Sequence, residues 1–318
     1  MTQYQFVGVD VAKDKFDVAL EINNSCYQEC FSNDKKGYRS FSKWLAKYTS
    51  QPWVCMEATG HYSELIADYL FLKQIKVSVV NPLQIKSFAR ARLSRNKTDQ
   101  LDARIIASYC EKMQPRTFTS RSETHKELKD LTNLLDTLKE QHARLTNQLH
   151  SAQSESAKKS IRKIIKSLAN EIAKVEKQID EIIKQHSEMN ENMNLLMSIQ
   201  GVGKQTAYKV LSHVPDMNCF ANAKQFAAFI GITPRQHQSG NFRGKTTISR
   251  LGDARLRKVF YMAGLVAKRF NKRLQPFVMR LQANGKAPKA IICAVMRKLA
   301  HIVFGVLKNK RPFDVNYV

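Results

Sequence analysis

Residues 254–313 contain no aspartate or glutamate, yet the same stretch carries 15 lysines and arginines. A surface that only has to stay soluble mixes both signs, so this one-sided run argues for a polyanionic partner, nucleic acid being the commonest. The six cysteines include no C-x-x-C pair, and no histidine stands at zinc-finger spacing from them. That pattern argues against a zinc module and fits the reduced thiols of a cytosolic protein. Cys26 and Cys30 would share a strand face, where packing is the simpler role. No signal-peptide pattern is expected, because the first four residues run straight into a strand pattern. The most apolar late stretch, residues 290–307, is broken by Arg297, Lys298 and His301, so no membrane span is expected there.

The excess of positive charge extends to the whole chain. It has 52 lysines and arginines against 27 acids in 318 residues, a formal charge of +25. Hydrophobic content of 43% is ordinary for a folded protein, and the length suits about two domains.

Residues 4–10 and 15–22 read as strands joined by a tight turn at Ala12-Lys13-Asp14, and 27–32 as a third strand. Phe41, Trp44, Leu45 and Tyr48 have helical spacing. Residues 53–58 read as a buried strand, 61–73 as a helix, 76–80 as a strand, and 99–112 as a helix capped by Thr98. This order predicts a mixed α/β sheet. The pattern then changes: Leu128, Leu131, Leu135, Leu138, Leu145 and Leu149 fall on three- and four-residue steps, with His142 in the remaining seam position. Ile165, Leu168, Ile172, Val175, Ile179 and Ile182 repeat it after a polar stretch at 151–156. Such a seam predicts a coiled-coil hairpin or a dimerising coiled coil, with arms of about 25 residues extending on the order of 40 Å. From about residue 195 the pattern is mainly helical. The expected domains are an α/β domain at 1–120, a coiled coil at 121–190 that spaces or joins protomers, and a helical domain at 191–318.

Within a chain this basic, four acids stand out. Asp10 ends one apolar strand and Glu57 another, while Asp99 and Asp102 share a helix face. Taken singly, each has a simpler role as turn residue, surface charge or helix-dipole partner. Together they fit a two-metal phosphoryl-transfer site, since divalent cations take carboxylate oxygens and bridge them to phosphate. Lys86, Arg90, Arg92, Arg95 and Lys97 precede that helix as a candidate phosphate guide. Gly201, Gly203 and Lys204 lie between two helical patterns, the form of a helix-hairpin-helix that receives phosphate on backbone N–H groups. Ser239 precedes Gly240 in a polar loop, with Arg235, Arg243, Lys245, Arg250, Arg255 and Arg257 around it in sequence. A serine there is a candidate nucleophile if its proton is removed and the developing charge is stabilised. A loop serine bonding its own turn fits the same residues.

The order Val9-Asp10-Val11-Ala12-Lys13, Met56-Glu57-Ala58-Thr59-Gly60 and Lys97-Thr98-Asp99-x-x-Asp102-Ala103 resembles the DEDD transposases of bacterial insertion sequences. These are the bridge-RNA-guided recombinases, with the Piv-type DNA invertases as relatives. Gly201-Val202-Gly203, Phe229-Ile230-Gly231 followed by Pro234, Ser239-Gly240, and Gly252-Asp253-x-x-Leu256-Arg257 resemble the family's C-terminal domain, so the likeness spans nearly the whole chain. The resemblance implies a RuvC-like, ribonuclease-H-type N-terminal domain whose Asp10, Glu57, Asp99 and Asp102 bind Mg²⁺, or Mn²⁺ in its place. It implies a serine nucleophile at Ser239, a phosphoserine intermediate, and composite sites across the protomers of a homodimer or tetramer held by the coiled coil. The implied partners are double-stranded DNA and a guide RNA. Competing readings are an invertase without a guide RNA, a structure-specific nuclease using the four acids and water, and a non-catalytic nucleic-acid-binding protein. The intact acids argue against the last, and the Ser239-Gly240 loop against the nuclease.

Overall fold

The computed structural model describes residues 4–22, 25–92, 99–214, 216–235, 238–239, 242–244 and 246–314; the side chains of 99–100, 238–239 and 242–243 lie outside that description. The chain divides into two compact units, Met1–Ser120 and Arg121–Val318.

The first unit runs β1 (Gln5–Val11), β2 (Lys15–Ile22), β3 (Ser25–Ser32), α1 (Lys35–Tyr48), β4 (Pro52–Glu57), α2 (His61–Leu72), β5 (Lys76–Val80), α3 (Pro82–Ala91) and α4 (Asp99–Met113). The sheet order is β3-β2-β1-β4-β5. The first three strands form an antiparallel meander, and β1, β4 and β5 run parallel. This is the mixed sheet that the strand pattern predicts. Alternation sends Val7, Val9 and Val11 to one face, where they join Phe16 and Val18 of β2, Met56 of β4, Phe41 of α1 and Ile66 of α2. The opposite face is covered by α4. Helix α1 starts where Asp34 accepts the Gly37 N–H at 2.7 Å, and α3 starts with Pro82 at its first position behind an Asn81 cap.

The second unit opens with α5 (Glu123–Ser151) and α6 (Glu155–Gln185). They form an antiparallel hairpin, with Lys139 and Glu176 paired at 2.6 Å and Thr124 and His186 meeting at its open end. Then follow α7 (Ser187–Met197), α8 (Lys204–His213), α9 (Ala223–Ile230), the short strands β6 (Pro234–Arg235), β7 (Gln238–Ser239), β8 (Phe242–Arg243) and β9 (Thr247–Ile248), and α10 (Ala254–Phe270), α11 (Gln275–Ala283) and α12 (Pro288–Asn309). By length and composition α12 could cross a membrane, but half of its apolar stretch is buried inside the protein. Val295, Leu299, Ala300 and Val303 are fully buried and make it the spine of this unit.

The hairpin is uneven along its length. Near the tip, Leu145, Leu149, Ile165 and Leu168 are only half-buried, as a two-helix seam requires. Near the open end, Leu128, Leu135, Val175 and Ile179 belong to the same core as α8, α10 and α12. The cause is α8, which lies along the hairpin and is held by buried polar groups. Lys209, 2% exposed, reaches Asp136 at 2.8 Å and the Thr132 carbonyl at 3.0 Å, and the Tyr208 hydroxyl donates to Asp180 at 2.6 Å. Burial pulls the Lys209 ammonium below its ordinary value, and Asp136 opposes that shift.

Candidate active site

Strands β1 and β4 are parallel neighbours with Val9 beside Met56. One step further along both strands sets Asp10 beside Glu57, at the spacing of adjacent strands, about 4.8 Å. Gly8 and Cys55 are paired on the face covered by α4, and a step of two residues returns Asp10 and Glu57 to that face. Helix α4 buries Ala103, Ile106, Ala107 and Cys110 against the sheet. Asp102 is one turn before Ile106, so its position extends the sheet-facing stripe, and Asp99 stands one turn before Ala103 in the helix. Tyr109 and Cys110 share a cluster with Trp53, at the start of β4, whereas Ala103 meets Gly8. The helix therefore runs back along the strands and lays its first turn toward the strand ends that bear Asp10 and Glu57.

Asp10, Glu57 and Asp102 are all half-buried. Beside Glu57, the Thr59 hydroxyl is buried and has no hydrogen-bond partner. An all-oxygen set of this kind suits a hard divalent cation. Among the described residues no three acids, histidines or cysteines are grouped closely enough to hold an ion; the side chain of Asp99, the fourth member, lies outside them. Sequence reasoning missed Asp17. It sits directly across the β1–β2 ladder from Asp10, nearly buried, and Lys15 pairs with it at 3.0 Å. Folding the two strand patterns about the 12–14 turn would have found it.

The proposed phosphate guides fall on several elements. Lys86 and Arg90 are exposed on α3, and Arg92 just after it bonds Ser108 of α4. Arg95 and Lys97 lie outside the described residues. Gly201 has a positive φ of 104°, and a Cβ there would stand 2.6 Å from that of Ala267, so this glycine is required by the approach of α10. Gly203 caps α8 with open space around it. Lys204 pairs with Asp180 of the hairpin at 2.9 Å.

Ser239 is on β7, opposite Phe242 of β8 in a two-stranded ribbon. Gly240 and Lys245 lie outside the described residues, and Arg243 is placed on β8 by its backbone alone. The ribbon springs from β6 and β9, where Arg235 pairs with Thr247. Arg250 and Arg255 are exposed. Arg257 is turned inward: its guanidinium donates to the carbonyls of Ile230 at 3.1 Å and Arg250 at 3.3 Å, clamping the base of the loop. Asp253 closes the same base by capping α10 and pairing with the buried His213 at 2.6 Å. Burial pushes the Asp253 carboxyl up, but the bond and charge of His213 and the N–H groups of Leu256 and Arg255 outweigh it and hold the pKa at about 2.

A five-stranded mixed sheet with acids at parallel strand ends and on the helix across them is the frame of DEDD enzymes that transfer DNA phosphoryl groups. An IS110-type DEDD transposase family model matches residues 7–156, and a model described as transposase IS116/IS110/IS902 family matches residues 193–279. The chain is 34% identical to the pilin gene-inverting protein of Moraxella bovis, over 97% of each chain. It is 25% identical to the transposase for insertion sequence element IS1328 of Yersinia enterocolitica, over 99% of this chain and 100% of that one. It is also 25% identical to the transposase for IS1111A of Coxiella burnetii, over 81% and 76% respectively. The chain belongs to the IS110 family of DEDD transposases and is a DNA phosphoryl-transfer enzyme with the function of an IS110-family transposase or DNA invertase.

Proposed function

We propose that this enzyme cuts and rejoins double-stranded DNA through a covalent serine intermediate. The supporting observation is the parallel register that puts Asp10 beside Glu57 under the first turn of α4. Asp10, Glu57, Asp99 and Asp102 would hold Mg²⁺ or Mn²⁺. The ion would supply Lewis-acid stabilisation of charge on the phosphate oxygens. Ser239 Oγ attacks the scissile phosphorus, the P–O(Ser) bond forms, and the bridging oxygen of the broken strand leaves as a hydroxyl. The serine proton passes by way of a nearby base to that departing oxygen, and reversal of the same step on a new hydroxyl rejoins the strand without loss of the phosphodiester. Exposed Lys86, Arg90, Arg235 and Arg255 would hold backbone phosphates. The coiled-coil hairpin joins protomers of a homodimer or tetramer, and a guide RNA directs the choice of site.

The higher identity to the pilin gene-inverting proteins, 34% against 25% for the two insertion-sequence transposases, favours a second reading as an invertase that needs no guide. Trapping on a suicide DNA substrate tests the chemistry. The expected product is a protein–DNA adduct whose labelled peptide contains Ser239, absent in Ser239→Ala. An adduct on another residue, or cleavage with no adduct, would replace the serine mechanism with attack by water. Recombination by protein freed of RNA would select the invertase reading.

A further inference from the structure

The cations of the acid-free segment gather along a trough beside α12. One part, about 960 Å³, lies between α11 and the second half of α12, and its rim carries Arg273, Arg280, Lys298 and Arg311 against the single acid Asp314. The other, about 740 Å³, lies between the first half of α12 and the β6–β9 ribbon, which contributes Pro234 and Ile248. Phe277, Lys298 and His301 line both, so the two parts adjoin at these residues. The floor is apolar, with Leu274, Ile302, Val306 and Phe313. Midway stands Phe277, half-buried, with the Arg280 guanidinium and the Lys298 ammonium each 5.6 Å from its ring centre. His301 Nε2 is buried there without a hydrogen-bond partner.

We propose that this trough seats one unpaired DNA strand, with a base stacked on Phe277 and the flanking phosphates on the cationic rim. Rim and floor separate the two chemistries of a single strand, charged backbone outside and flat apolar bases inside. A duplex keeps its bases stacked on one another, so a ring at the bottom of a trough could not reach their faces. An apolar peptide would leave the rim cations uncompensated. The assignment to DNA rests on the function proposed above, because one wall of the trough is the ribbon from which the Ser239 hairpin springs.

The test is fluorescence anisotropy of the full-length protein with a labelled mixed-sequence DNA strand of about 15 nucleotides, the upper range of single-strand sites. Phe277→Leu keeps apolar bulk and loses the stacking face; it is expected to bind roughly five- to 100-fold more weakly. Phe277→Tyr is expected to restore binding, and affinity for a duplex of the same sequence should change little in either variant. A strand carrying 5-iododeoxyuridine should crosslink to the peptide that holds Phe277. Equal affinity of wild type and Phe277→Leu, an equal loss on duplex, or a Phe277-dependent preference for an RNA strand of the same sequence would each overturn the assignment. Binding needs no cleavage, so the assay is repeated in Ser239→Ala. Retained binding there with an adduct mapped elsewhere would sink the serine mechanism and leave the strand seat standing.

Discussion

Gly8 of β1 lies against Ala103 of α4 so closely that a Cβ on the glycine would stand 1.9 Å from the Ala103 carbonyl oxygen and 2.4 Å from the Ala107 nitrogen. Both obstacles are backbone, so no rotamer change relieves the clash. Gly8→Ala should push α4 off the sheet, costing about 1–3 kcal/mol, and carry Asp99 and Asp102 away from Asp10. Urea unfolding and a recombination assay should both show the loss. A Gly8→Ala protein of native stability and full activity would mean that this contact does not set the site.

Asp10→Asn, Glu57→Gln, Asp99→Asn and Asp102→Asn should each abolish recombination while leaving the circular-dichroism spectrum and DNA binding near wild type. The amides keep shape and remove the charge that a divalent ion requires. An active Asp10→Asn enzyme in Mg²⁺ would remove this residue from the metal set.

Asp253 should make the helical unit sensitive to acid. Its pKa of about 2 lies below the ordinary value of 3.8, so its stabilisation is present above about pH 4 and is lost as pH falls toward 2. Asp253→Ala should cost roughly 1–3 kcal/mol at pH 7 through the lost helix cap and His213 bond. Denaturant melts from pH 7 down to 2 should show wild type and variant converging. A constant gap across that range would contradict the ion-pair account.

Arg255 and Arg257 should separate in a salt titration. The acid-free segment as a whole predicts that DNA affinity falls by an order of magnitude or more between about 50 and 200 mM salt. Arg255, exposed, should lower the salt slope by about 1 when changed to alanine. Arg257→Ala should instead lower the melting temperature with little change in slope, because its guanidinium is engaged by two carbonyls. The opposite outcome would make Arg257 the phosphate contact.

Self-association through the hairpin is best probed away from its base. Leu135 is 1% exposed and part of the core shared with α8, so a charge there would unfold the unit. Ile164 is 49% exposed on α6. Ile164→Asp should lower the mass seen by light scattering and keep native helicity. An unchanged mass would leave the hairpin as a spacer.

Much of this was legible before the structure, for reasons that are local. Period-two alternation in β1, β2 and β4 and the leucine seam of α5 are written in neighbouring residues, so the elements and their apolar faces could be read directly. The Arg257 clamp could not be read, because an arginine beside a basic loop looks the same whether its guanidinium faces phosphate or the carbonyls of Ile230 and Arg250. Gly201 looked like half of a phosphate-binding turn, and only the approach of Ala267 shows why that position excludes a side chain.

The sequence by itself determined the kinds of element and their order, the excess of positive charge, and which acids stand at strand and helix ends, since these depend on residues within a few positions of one another. Tertiary structure decided which of them meet. Parallel pairing of β1 with β4 joins strands with β2, β3 and α1 between them, and a shift of one residue would turn Glu57 to the other face of the sheet. The open end of the hairpin became core because the apolar face of α8, far along the chain, packs against it, with Lys209 paired to Asp136 across that contact. Contacts of that range follow from the packing of whole faces, which no local pattern encodes.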